Sequence, residues 1–128
     1  MLGWLWVFFL ATLGHAIITL FNFWQLTNAE KLTLFGIKFS SLWTFWLAYC
    51  ISLIPVFVFI NFIFLYSYWY GYNVLFPGKA WRVQETYWFS SLVVMFFMAW
   101  LYLGELPTKN AVIALIFLVG ALIAILWK

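Results

Sequence analysis

Charge is almost missing from this chain. Nine of its 128 residues are charged, and aspartate does not occur. Residues 1–28, 39–78, 86–104 and 111–127 contain no Asp, Glu, Lys or Arg at all. A soluble domain carries about a quarter charged residues and covers itself with them. A chain with 7% charged and 69% apolar residues lacks that cover, so the expected solvent is lipid.

Other absences narrow the function. There is one cysteine, Cys50, so no intrachain disulfide can form, and it reads as a small packing residue. One histidine, one cysteine and three scattered glutamates cannot supply the usual ligand set of a zinc site. Without aspartate there is no Ser-His-Asp arrangement, and no glycine-rich phosphate loop occurs. The chain therefore reads as a non-enzyme with no cofactor. Six scattered cations give no basic patch for nucleic acid. The N-terminal residues lack a basic region and a small-residue cleavage site, so they read as a mature span and not as a signal peptide. No Asn-x-Ser/Thr acceptor or lipidation motif is evident.

What is present is length and aromatic bulk. A helical crossing needs about 20 apolar residues, and backbone amides cannot stay unpaired in lipid. Barrel strands would alternate polar and apolar residues over about ten positions, and these runs do not. The expected fold is all-α integral membrane, one domain of four transmembrane helices at about residues 2–24, 40–70, 81–103 and 109–127. The second span is long, and Pro55 is its natural kink. The rival division makes two short spans of residues 35–76, at the cost of a sharp turn in hydrocarbon. Pro77-Gly78 marks a turn, Gly104-Glu105-Leu106-Pro107 stops the third helix, and Thr108 caps the fourth. Trp4, Trp6, Trp24, Trp43, Trp46, the run from Tyr68 to Tyr72, Trp81 and Trp127 fall where interfacial belts belong.

The cations do not orient the chain. One side of a four-span topology holds Lys31, Lys38 and Lys109, and the other holds Lys79, Arg82 and Lys128. The positive-inside rule thus gives no preference. Small transporters that insert both ways and pair antiparallel show this balance; so does a chain oriented by a partner or by insertion machinery.

Deep polar residues are the candidate site. Thr12, His15, Thr19 and Asn22 span an arc of about 80° on the first helix. Polar groups at that depth face protein or a water-filled cavity. His15 is placed to bind a proton or ligand, or else to hydrogen-bond a neighbouring helix. On the third helix Gln84, Trp88, Ser91, Met95, Met98 and Tyr102 form a second stripe, with Glu85 beside its start. Glu85 is either a binding carboxylate at the mouth of a chamber or an interfacial anchor favoured by the helix dipole. Asn61 is the deep polar residue of the second span, a substrate contact or interhelical glue. The fourth helix offers only small positions, Ala114, Gly120, Ala121 and Ala124, for close packing.

The run ending in Leu103-Gly104-Glu105-Leu106-Pro107, followed by an apolar helix with Gly120-Ala121, resembles the last two helices of the drug/metabolite transporter superfamily, of EamA-like type. The four-span length resembles its small multidrug resistance members, and Ala11-Thr12-Leu13-Gly14-His15 is similar to their first-helix motif. His15 stands where that family carries the glutamate that binds proton and cation. Gly71-Tyr72 and Gln84-Glu85 also resemble a group of four-helix members of the superfamily. The resemblance implies a transporter of a small lipophilic or metabolite substrate, a homodimer in the plasma or inner membrane. The binding residues would be His15, Thr12, Thr19, Asn22, Asn61, Glu85, Tyr87, Trp88 and Ser91. The alternative is a non-transporting accessory subunit of a larger membrane complex.

Overall fold

In a computed structural model that describes residues 2–104 and 108–126, 84% of the described residues are helical. Five helices follow one another: α1 (Leu2–Ala29), α2 (Leu42–Ser52), α3 (Ile54–Tyr70), α4 (Ala80–Met98) and α5 (Lys109–Leu126). π-helical turns extend α3 over Gly71–Leu75 and α4 over Ala99–Leu103. With those turns included, three helices are long and apolar enough to cross a membrane: Leu2–Ala29, Ile54–Leu75 and Ala80–Leu103. The apolar stretches Leu42–Ser52 and Lys109–Ala121 are shorter.

α1 outruns its expected end at Trp24. The side chains of Thr27 and Asn28 both donate back to the Trp24 carbonyl, at 2.9 and 2.8 Å, which consumes polar groups without breaking the helix. A two-stranded hairpin follows, β1 (Thr33–Leu34) against β2 (Ile37–Lys38), antiparallel with Leu34 opposite Ile37. This is the one departure from an all-helical plan among the described residues. Ser41 then caps α2, its hydroxyl accepting from the Thr44 amide at 3.3 Å.

The long second segment is broken at Leu53, whose φ of −97° and ψ of 3° leave the helical region. The cause is two residues downstream. Pro55 has no amide to give and its ring crowds the carbonyl one turn back, so the chain restarts with proline in its first turn. α4 and its π-turn end at Gly104, held left-handed at φ 70°. The stop motif's residues 105–107 lie outside the described residues. Thr108 caps α5 as its position suggests, accepting from the Ala111 amide at 3.3 Å.

α1 is the centre of the bundle, packed chiefly against α4 and α3. Val7 meets Ser67, His15 meets Phe64 and Phe21 meets Tyr49, so α1 runs antiparallel to α2 and α3. Trp4 meets Thr86, Thr19 meets Met95 and Phe23 meets Tyr102, so α4 runs parallel to α1. Gly14 lets the Phe64 ring of α3 seat against α1, since a Cβ there would overlap it. The core is two clusters, one of Val7, Ala11, Val83 and Tyr87 between α1 and α4, and one of Leu34, Phe45, Tyr49 and Leu53 under the hairpin. α5 leans on α4 and turns Ile113, Ile116, Phe117 and Ile123 outward.

Candidate functional site

A seam of polar side chains runs along α1 where it meets α4 and α3, and most of them are pinned to a backbone carbonyl or a neighbour. Trp4 Nε1 donates to Thr86 Oγ1 (3.1 Å), and Thr86 donates on to the Arg82 carbonyl (3.0 Å). Ser67, fully buried on α3, reaches the Val7 carbonyl at 3.4 Å. Farther along, the Thr19 hydroxyl faces Met95 Sδ at 3.9 Å.

His15 sits mid-seam, and its partners fix its tautomer. Nδ1 lies 2.8 Å from the Ala11 carbonyl, which can only accept, so Nδ1 carries the proton. Ser90 Oγ lies 3.0 Å from the same nitrogen and spends its own proton on the Tyr87 carbonyl at 2.9 Å. Ser90 therefore accepts from His15. Nε2 is left as the ring's acceptor, with no partner among the described residues. The Phe64 ring is 5.0 Å from the imidazole and the Tyr87 ring 6.0 Å, a wall that screens it on the α3 side.

Beyond that wall lies a groove of about 640 Å³ between α3 and the start of α4. Phe64, Tyr68, Trp69, Tyr72 and Tyr87 supply its rings, and Asn61 and Asn73 its amides. Both amides are oriented by carbonyls one turn back. Asn61 Nδ2 donates to Phe57 at 2.9 Å and Asn73 Nδ2 to Trp69 at 2.9 Å, so each presents Oδ1 as a free acceptor. The Tyr87 hydroxyl is spent on the Phe64 carbonyl at 2.9 Å. Among the described residues no charged side chain lines the groove.

No family model, curated protein or solved structure matches this chain.

The expected site residues divide three ways. His15 and Tyr87 come together, and Asn61 joins Tyr87 across the groove. Thr12 and Thr19 share the α1 seam; Thr12 Oγ1 is enclosed and has no partner among the described residues. Asn22, Glu85, Trp88 and Ser91 stand apart from the groove. Asn22 is exposed, and Trp88 is 62% exposed on the far face of α4. One Glu85 oxygen is enclosed without a partner among the described residues. The inward face of α4 is Val83, Thr86, Tyr87, Ser90 and Val94, about a quarter-turn from the expected stripe of Gln84, Trp88, Ser91 and Met95.

Ser90, Tyr68, Trp69 and Asn73 were not singled out as site residues by sequence. Ser90 and Ser91 are indistinguishable in type, and only helix phase separates them. Among the described residues no three His, Cys, Asp or Glu side chains approach closely enough to hold a metal ion.

Proposed function

We propose that this chain is a small multi-pass membrane protein of drug/metabolite-transporter type, moving a small lipophilic or metabolite substrate as a dimer. In this reading the bilayer is the plasma or inner membrane. The crossings are α1, the broken pair α2–α3, α4 and α5. Large apolar side chains turned outward, among them Phe62, Leu65, Trp69 and Phe117, suit lipid as solvent.

The observation that carries the reading is the groove between α3 and α4. It is open at the side, so in a bilayer it faces acyl chains, where lipophilic molecules concentrate. Its rings offer stacking area, and its free polar atoms include the two amide acceptors. That chemistry selects an apolar molecule bearing a hydroxyl or amine donor. The imidazole behind Phe64 and Tyr87 offers one more acceptor if those rings swing aside. Rocking of two copies about the groove would then give alternating access. α5, packed on α4 alone among its substantial contacts, leaves an apolar face for the second copy.

Uptake into proteoliposomes tests this with a panel of fluorescent lipophilic amines and alcohols. Wild type is expected to give saturable flux for at least one member, and Asn61→Leu to reduce it about tenfold, as loss of one acceptor to a donor group costs on the order of 1.4 kcal/mol. Flux equal to protein-free vesicles across the panel overturns the reading. The same outward face of α5 also fits an accessory subunit of a larger complex. Purification in mild detergent separates the two: a stoichiometric foreign partner favours the complex, and a clean homodimer counts against it.

A further inference from the structure

The hairpin between α1 and α2 carries a conformation that its residues do not favour. Its two central residues, Phe35 and Gly36, have φ of 49° and 83°. Two-residue hairpin turns with both φ positive ordinarily take Asn-Gly, and a bulky aromatic at the first position is strained there. Leu32, just before the first strand, is also left-handed at φ 48°. An outlier of this kind persists only where its surroundings hold it.

What holds it is visible on both sides of the strand pair. Leu34 is buried against Phe45, Tyr49 and Leu53, and the Phe39 amide closes the hairpin on the Leu32 carbonyl at 2.8 Å. Next to Leu34, Phe35 lies over Trp24, itself packed on the same cluster, with ring centroids 5.7 Å apart. There it completes a second pocket of about 320 Å³, with Leu20, Phe21, Trp24 and Tyr102 as the other walls. Phe35 is nevertheless 70% exposed and Ile37 62%, so the hairpin leaves apolar side chains uncovered. Lys31 and Lys38, both exposed, flank it, against the single acid Glu30.

We propose that this hairpin and the pocket beneath it bind one anionic phospholipid. An acyl chain lies along Leu20, Phe21, Trp24 and Tyr102 under the Phe35 ring, and the phosphate meets Lys31 and Lys38. An apolar slot walled by an aromatic side chain, on a hairpin whose two lysines are exposed, matches that ligand in both halves. Each lysine near a charged headgroup adds attraction that a zwitterionic lipid does not return. The proposal rests on the membrane reading above, and is separate from the groove between α3 and α4.

The test uses vesicles of phosphatidylcholine containing a small fraction of either phosphatidylglycerol or phosphatidylcholine with a diazirine in its acyl chain. Crosslinks are mapped by peptide mass spectrometry. Phe62 and Phe117, exposed and remote from the hairpin, report embedding itself. Expected is labelling of both by either lipid, with residues 20–24 labelled at least fivefold more by phosphatidylglycerol. Lys31→Gln/Lys38→Gln should abolish that preference while leaving helicity by circular dichroism intact. Phe35→Gly, which relieves the backbone while removing the ring, should lower labelling at residues 20–24. If Phe62 and Phe117 label but residues 20–24 do not, or do so equally with both lipids, the lipid site is overturned and the membrane reading stands. If neither Phe62 nor Phe117 labels, both fall.

Discussion

Gly14 faces the Phe64 ring on α3, and its missing side chain is what makes room for that ring. Over-filling a packed contact costs about 1–3 kcal/mol. Gly14→Ala is expected to lose that much in a denaturant titration followed by helical circular dichroism. The loss should nearly vanish when Ala is placed in a Phe64→Ala background, where the clashing ring is gone. An equal loss in both backgrounds would refute the contact as its cause. Tyr87 makes a complementary case. Its hydroxyl closes on the Phe64 carbonyl, and a hydrogen bond between helices in this setting contributes about 0.6 kcal/mol. Tyr87→Phe should therefore be mild in the same titration, within about 1 kcal/mol of wild type. His15 as a deep polar residue was legible from the sequence, because a lone imidazole inside an apolar run needs protein around it. Its serine partner was not. Ser90 and Ser91 differ only in helix phase, and α4 carries polar and aromatic residues on every side, so its periodicity has little contrast to set that phase.

At the scale of elements, the interruption of the second segment was readable in Pro55, because proline's missing amide and ring are local facts. The position of the break at Leu53 follows from the same ring, which disrupts the turn before it. Pro55→Ala restores a donor and removes the clash, so residues 42–70 should join as one helix. Hydrogen exchange would show it as new protection across residues 53–56. Unchanged exchange there would mean that packing of Leu53 under the hairpin sets the break instead. The hairpin itself was not legible. Two strands of two residues give no alternation to read, and Phe35 is a poor turn residue, so nothing in residues 25–38 announces a hairpin. Leu34 shows the tertiary term that won, since it is 3% exposed beneath residues from α2. Leu34→Ala is expected to free the hairpin without unfolding the bundle, seen as faster exchange of the Phe39 amide while α1 and α4 amides keep their protection.

For the whole molecule, the path of the chain turns a count of cations into a physical balance. α1 and α4 run parallel and α3 antiparallel to both, so the hairpin and the start of α5 share one end. That end holds Lys31, Lys38 and Lys109, while Lys79 and Arg82 occupy the other. The sixth cation, Lys128, lies outside the described residues. In the four-crossing reading proposed above Lys128 would fall opposite the hairpin; a cation near an anionic cytoplasmic leaflet is worth about 1 kcal/mol, so three against three would then leave neither orientation favoured. In intact cells, on a Cys50→Ala background, an impermeant maleimide should label about half of the molecules at Ser40→Cys and about half at Ala80→Cys. Adding Thr33→Lys and Asn110→Lys puts two more cations at the hairpin end. Two such charges are worth about 2 kcal/mol, or roughly thirtyfold in the orientation ratio. Ala80→Cys should then label almost completely and Ser40→Cys hardly at all. One-sided labelling before any lysine is added would mean that something other than loop charge orients the chain, as a partner subunit would, and would shift the weight to the accessory reading.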